Sequence, residues 1–362
     1  MVIDGLANLL YIRFEELHAI SDLDEAIALQ RTALELRSQR HPQRARSLGN
    51  IAKCLHARFT QLEILSDLDD ALAAQRNALE LLPEGHPDRA VSLSNIAGWL
   101  YDRFTQLRML SDLDEALALE RHVLELLPEG HPSRAVSLGN IAGWLHERFT
   151  RLEVLSDLDE ALALERSVLE LRPQGHPDRT FSLGNIANYL YSRFMQFGML
   201  SDLDEALALQ RSALELRPQG HPHRVVSLQN IGNYLYSRFT QLGTLSDLDE
   251  AIALHRDALE LLPQGHPGRV TSVNNITICL HRRFTQLGML SDLEEALALN
   301  AMRWNFTRRG TLTEPFHWAI SRITSTPVSC SSEPYLTSTR HLPWNAVYWN
   351  FAPRGILIER FQ

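Results

Sequence analysis

Residues that could do chemistry recur along this chain at one fixed interval. The tetrapeptide Ser-Asp-Leu-Asp begins at Ser21, Ser66, Ser111, Ser156, Ser201 and Ser246, and Ser-Asp-Leu-Glu begins at Ser291, a spacing of 45 residues each time. Counting each of these serines as position 1 of a unit, His41, His86, His131, His176, His221 and His266 all fall at position 21, each before a proline. A column of imidazoles suggests a metal ladder, but tetrahedral zinc needs ligands that converge on one point, and these lie a whole unit apart. The spacing predicts a turn or capping role for them. Carboxylates at positions 2, 4 and 5, such as Asp202, Asp204 and Glu205, suggest acid-base work or calcium binding. Their place in the first turn of a helix is already accounted for by the helix dipole. No metal site and no cofactor is expected.

Arginine supplies 34 of the 35 basic residues, Lys53 being the single lysine. It recurs at positions 11, 24 and 38, and helical angle turns positions 24 and 38 toward the core side. Buried guanidinium groups want carboxylate partners, so both columns are expected to form ion-pair ladders. The alternative is ligand binding. Arg193 and Arg238 in particular should meet an Asp or Glu of a neighbouring Ser-Asp-Leu-Asp segment.

Position 30 is asparagine in every complete unit: Asn50, Asn95, Asn140, Asn185, Asn230 and Asn275. Together with Asn188 and Asn233 at position 33, it shares the helix side opposite the apolar stripe. Amides both donate and accept, which suits an extended peptide backbone. These eight residues are the candidate partner-binding site. The competing reading, equally weighted, is that the amides stitch neighbouring helices together. Around them the side chains vary, from Arg46 and Lys53 through Asp102 and Glu147 to Ile278 and Arg282.

The elements that carry these columns are two helices per unit. In Ser201 to Leu245, the first is expected to open on a Ser N-cap with Asp three residues on and to stop near Pro218 and Gly220. The second should start at His221-Pro222, where proline's missing N–H costs nothing, and run to about Phe239. In the first helix Leu203, Ala206, Leu207, Leu209, Ala213, Leu214 and Leu216 cover more of the circumference than one partner could bury, so it must be packed on two sides. Leu228, Ile231, Leu235 and Phe239 make a narrower stripe on the second, leaving its opposite face free. One unit buries too few side chains to offset its ordering entropy, so units must stack. An all-α solenoid of about six 45-residue antiparallel helix pairs follows. Met1 falls at position 26, inside a second helix, so either fraying there or a missing upstream segment is expected.

Composition agrees, with 44% hydrophobic and 22% charged residues and a formal charge of −9. Acidic and basic residues are mixed, without the basic patch that nucleic acid binding needs. The opening residues carry Asp4 and Arg13 and do not read as a signal peptide. No run reaches a membrane span. Cys54, Cys279 and Cys330 lack CxxC spacing, which fits a reducing, cytoplasmic setting.

The stretch Gly175 to Pro218 resembles a long-form tetratricopeptide repeat of the kinesin light chain type. The matching features are the His-Pro entry, Ser-Leu-x-Asn-Ile-Ala, a Leu-Tyr pair one turn on, and Asp-Glu-Ala…Ala-Leu-Glu-Leu-x-Pro. The units exceed the ordinary tetratricopeptide length mainly through an extended turn, Arg-Phe-Thr-Gln-Leu-Gly-x-Leu. The wording is similar to arrays of mushroom-forming fungi found beside caspase-like CHAT domains or nucleotide-binding switches. The resemblance covers residues 1–299 and implies a right-handed superhelix whose Asn column lines a concave groove. It implies a non-catalytic scaffold that binds a protein or an extended peptide. The alternatives are the sensor half of a CHAT peptidase or nucleotide switch whose effector is missing here, or a decayed gene product. There is no GxxxxGK[ST] loop and no recognisable peptidase His and Cys pair.

Residues 300–362 are expected to be an irregular tail. At Leu299 the unit pattern stops, yet the period survives: residues 300–316 and 345–361 agree at ten of seventeen positions, where unrelated chains would agree at about one. Ala301 to Phe306 can be encoded GCG ATG CGC TGG AAC TTC. The same bases regrouped one step out read Arg-Asp-Ala-Leu-Glu-Leu, the wording of Arg256 to Leu261. In the same register Trp318 to Ser325 yields Leu-Gly-Asn-Ile-Ala-Asn-Tyr-Leu, and the Leu336 region yields Ser-Asp-Leu-Asp-Glu-Ala-Leu. The tail therefore reads as a frameshifted continuation of the array. Sequencing the transcript should show one single-base shift near codon 300 restoring Ser-Asp-Leu-Asp at Leu336; an intact open frame without that reading excludes the idea.

Overall fold

The computed structural model describes residues 2–39 and 41–309. Fourteen α-helices, and no strand, occur among the described residues. The helices that carry the Ser-Asp segments are α2 (Ile20–Glu35), α4 (Leu65–Glu80), α6 (Leu110–Leu126), α8 (Leu155–Leu171), α10 (Leu200–Glu215), α12 (Leu245–Leu261) and α14 (Leu290–Arg309). Between them run the helices that follow the His-Pro turns. These are α1 (Val2–Leu17), α3 (Arg44–Leu62), α5 (Asp88–Leu107), α7 (Ser133–Leu152), α9 (Arg179–Phe197), α11 (Arg224–Leu242) and α13 (Gly268–Leu287). Each helix packs chiefly on its neighbours in the chain, and successive His-Pro helices also touch across the stack. The result is a tetratricopeptide-like solenoid of antiparallel pairs.

Short left-handed turns fold each His-Pro helix back against the Ser-Asp helix that follows. The residue at position 43 takes positive φ, as in Gly198 at 70° and Glu153 at 55°, and its amide bonds back to the Phe carbonyl at position 39, Gly198 to Phe194 at 2.7 Å. Glycine suits this conformation without a Cβ penalty. The expected Ser cap is not there. Helix α10 starts one residue before Ser201, with Met199 as its extended N-cap and no side-chain cap hydrogen bond. Ser201 is exposed in the first turn, and the Asp202 side chain is occupied by arginine.

Apolar positions fill a continuous core. Leu203, Ala206 and Leu207 of α10 and Ile231, Leu235 and Phe239 of α11 are all buried, as the helical period requires. The His-Pro helices bury a wider face than their Leu-Ile-Phe stripe predicts. In α9, Ser182, Gly184, Tyr189 and Ser192 are buried besides the stripe. Small residues at these positions let helices approach closely, and one substitution shows the fit. Position 32 is Ala52, Ala97, Ala142 and Ala187, but Gly232 stands where His255 packs, and a methyl there would lie 2.6 Å from the imidazole Nε2.

Helix α14 runs on to Arg309, ten residues past the expected end of the array at 299. The remaining tail, residues 310–362, with the Leu336 region and Cys330, lies outside the described residues.

Candidate partner-binding groove

The histidine column does cap its turns. In all six units the backbone N–H two residues on donates to the imidazole Nδ1, from Gln43 to His41 at 3.2 Å through Gly268 to His266 at 3.0 Å. No group of three or more His, Cys, Asp or Glu residues able to hold a metal occurs among the described residues.

The arginine ladder at position 38 is a clamp. Arg148 donates from Nε and Nη2 to both oxygens of Asp157 at 2.7 and 2.8 Å, and from Nη1 to Asp114 at 2.8 Å. One guanidinium thereby ties its own helix α7 to the Ser-Asp helices on either side, α8 and α6. Arg193 and Arg238 do the same, to Asp202 and Asp159 and to Asp247 and Asp204, as the sequence led one to expect. The paired carboxylates raise the Arg148 and Arg238 pKa values, hydrogen bonds from Asp157 and Asp247 being the largest cause.

Position 24 departs from the expectation. Arg179 gives Nη1 to the Leu169 and Arg172 carbonyls at 2.9 and 2.7 Å, and Arg224 and Arg269 repeat this at the ends of α10 and α12. These arginines meet free helix-terminal carbonyls, which attract cations for the same dipole reason that carboxylates favour N-termini. Position 11 forms exposed links to the next unit, as in Arg121 to Glu160 at 2.8 Å.

The asparagine column lies along successive His-Pro helices, half-buried from Asn50 to Asn230 and buried at Asn275. Asn230 Nδ2 donates to Asn188 Oδ1 at 3.2 Å, Asn275 to Asn233 at 3.0 Å, and Asn50 to Asn8 at 3.2 Å. Asn140 and Asn185 face the buried carboxylates of Glu120 and Glu165 within their own units, where they oppose the rise that burial gives the glutamate pKa values. The Tyr234 hydroxyl also donates to Asn188, at 2.6 Å. Asn50, Asn230 and Asn275 thereby link to the preceding repeat, while Asn140 and Asn185 face glutamates of their own unit.

At one end of the column an open cleft of about 350 Å³ lies between repeats. Asn8, Asn50 and Asn95 line it with Arg46, Lys53, Asp88 and Val91, and Gln75 and Ala78 of α4 with Leu82 just beyond it lie on another side. Farther along, Val91, Val136, Phe181 and Val226 at position 26 leave apolar side chains exposed. Of the acidic pair in the middle, Asp102 lies 2.7 Å from His56 Nε2 and Glu147 accepts from Arg151 at 2.7 Å.

Two columns escaped the sequence reading. Aromatic residues at position 36 pack on those at position 34 of the next unit, stacked for His56 on Trp99 and Tyr101 on Trp144 and tilted for His146 on Tyr189 and Tyr191 on Tyr234, with centroids 4.6–5.4 Å apart. Their recurrence at 45-residue spacing was the available signal. The other is position 10, where Gln30, Gln75, Glu120, Glu165, Gln210 and His255 are all buried polar residues between helices. Burial lowers the His255 pKa to about 4 and the His146 pKa to about 3, so both rings stay neutral at pH 7. A further buried cation, Arg217, has a depressed pKa through burial. It donates to Ser227 and to the Thr180 and His223 carbonyls, where its equivalent Arg37 has Asp4 at 2.5 Å.

Together the repeated pairs and their shared ladders define an α-solenoid of the tetratricopeptide type. The C-terminal part of a tetratricopeptide repeat protein from Cytophaga hutchinsonii is similar to it, with a TM-score of 0.52 and 11% identity over 84% of this chain and 96% of that one. A putative kinesin light chain from Podosopora anserina with nearly identical TPR-like repeats superposes with a TM-score of 0.42 at 18% identity, covering 57% of this chain and 94% of that one. No protein family model and no curated protein matches the sequence.

Proposed function

We propose that the array is a non-catalytic scaffold that holds an extended peptide or protein segment in a groove along Asn50, Asn95, Asn140, Asn185, Asn230 and Asn275, with Asn188 and Asn233. The observation that carries this reading is the cleft beside Lys53, in which amides, two exposed cations and exposed valine meet. A mixed lining of this kind suits a backbone with alternating side chains. Tetratricopeptide-like folds generally mediate protein-protein contacts, which supports the class of partner. No described helix is long and apolar enough to cross a membrane. A cytoplasmic setting is supported by Cys54 and Cys279, buried free thiols whose pKa values burial pushes up to about 12.

Peptides selected for binding from a random display library should protect Lys53 from amine-reactive labelling, since it is the single lysine. Replacing Asn140, Asn185 and Asn230 together with Ala should then weaken their binding at least about tenfold, because each buried amide contact is worth about 1 kcal/mol. The control is Arg211→Ala, which breaks the exposed pair with Glu250. Equal loss of binding in the control, or a melting transition so lowered that the triple variant is unfolded, would assign the amides to stability alone.

A further inference from the structure

We infer that this chain associates head to tail with further copies of itself, the last Ser-Asp helix of one copy, α14, docking on the first His-Pro helix, α1, of the next. Inside the array every Ser-Asp helix is covered by the His-Pro helix that follows it. Position 7 is accordingly 1–3% exposed from Ile27 to Ile252, whereas its equivalent on α14, Leu297, is 62% exposed. The opposite end shows the complementary face. Positions 31 and 34 are at most 6% exposed in all six later His-Pro helices, but on α1 they are Leu6 at 45% and Leu9 at 63%. The two exposed faces are the two halves of an interface that the chain already forms internally six times, between α2 and α3 and onward to α12 and α13.

Charge fixes the register. In each internal interface of this kind an arginine at position 38 reaches the position 4 carboxylate of the preceding Ser-Asp helix, as Arg58 reaches Asp24 at 2.6 Å and Arg283 reaches Asp249 at 2.6 Å. Arg13 on α1 bonds Asp22 alone and its side chain is 55% exposed, against 20–28% for the other six. At the other end Glu294 is the exposed position 4 carboxylate of α14. Docking α14 on α1 of a second copy in the internal register sets Glu294 against Arg13 of that copy. The contact is heterologous, joining different surfaces, so it propagates into filaments or rings of several copies rather than closing as a symmetric dimer.

Sedimentation of the full chain over a concentration series should show species that grow beyond two copies. Leu297→Glu and Leu9→Glu alter side chains already exposed in the single copy, so each should leave helicity and melting intact while weakening association about 30-fold or more. Arg13→Glu and Glu294→Arg should each weaken it at least about tenfold through like-charge contact, and an equimolar mixture of these two variants should recover it. A chain that stays monomeric throughout, whether or not its own residues 310–362 cover α14, overturns the inference. So does a dimer that stops at two copies, or an oligomer indifferent to Leu9→Glu.

Discussion

Replacing Arg148 with methionine should cost about 3–5 kcal/mol, because it strands the buried Asp157 carboxylate without its counter-charge. The Asp157 side chain is 5% exposed and both its oxygens are held by this one guanidinium. The substitution also releases Asp114, but that carboxylate is exposed and should recover most of its solvation. Because Arg148 joins α6, α7 and α8, the loss falls on two interfaces in the middle of the stack. In an array whose stability is a sum of nearest-neighbour terms, weakening the central interfaces uncouples the two halves. Urea unfolding followed by circular dichroism should therefore shift to lower denaturant and broaden or split. Adding Asp157→Asn to Arg148→Met should recover at least half of the loss, since the stranded charge is gone. By contrast Arg121→Ala, which breaks an exposed pair with Glu160, should cost no more than about 1 kcal/mol. Equal effects at Arg148 and Arg121 would show that the clamp contributes no more than a surface pair.

That clamp also marks how far the sequence could be read. The placement of Arg193 and Arg238 near the Ser-Asp segments followed from helical angle alone, because a single side chain's direction is set by its own helix. The His-Pro turn and the paired helices were legible for the same local reason. The Ser cap failed because a capping box is also local, while here the neighbouring acid is committed to a distant guanidinium and the helix starts at the preceding leucine. Position 24 failed because angle gives direction but not the identity of the acceptor, and the acceptor is a set of backbone carbonyls that no side-chain pattern encodes. The asparagine column was left open between groove and stitching. Its contacts join residues 42 positions apart, as in Asn230 and Asn188, and no helical angle within one unit gives that distance. The polar column at position 10 was invisible because its glutamines and glutamates alternate with apolar residues in a way that any solvent-facing helix side also shows.

From that column comes the second expected result: replacing Glu120 and Glu165 with glutamine should stabilise the array at pH 7 and leave it unchanged at low pH. Both glutamates are at most 1% exposed, and the equivalent residues on either side of them, Gln75 and Gln210, already are glutamines. Ser94 donates to Glu120 Oε1 at 3.3 Å, while Oε2 of Glu120 and of Glu165 finds no hydrogen-bond partner in the protein. Burial raises the pKa of Glu120, against opposing hydrogen bonds from Ser137, Ser94 and Asn140. Burial likewise raises that of Glu165, against Ser182, the charge of Arg172, and Asn185. A carboxyl with a folded pKa above its unfolded value binds its proton more tightly in the folded state. Its contribution is fully favourable below the unfolded pKa, about 4.3 for glutamate, and is lost as pH rises through the folded pKa. Glutamine matches the protonated shape and has no proton to lose, so that loss disappears in the variant. Glutamine keeps an unpartnered Oε1, as Gln75 and Gln210 already do, so the gain comes from removing the buried charge, which costs at least the roughly 1 kcal/mol of an unsatisfied neutral polar group at pH 7. Melting curves at a series of pH values should coincide for the two proteins below about pH 4 and diverge steadily above it, the variant melting higher. Both should share one acid limb, because Asp292, whose pKa is lowered by its hydrogen bond from Arg283, loses its contribution as pH falls in either protein. The reverse change, Gln75→Glu, should introduce a new decline with rising pH in the same window. A pH-independent gain, or curves that diverge on the acid side instead, would mean that both carboxylates are ionised and compensated in the folded array.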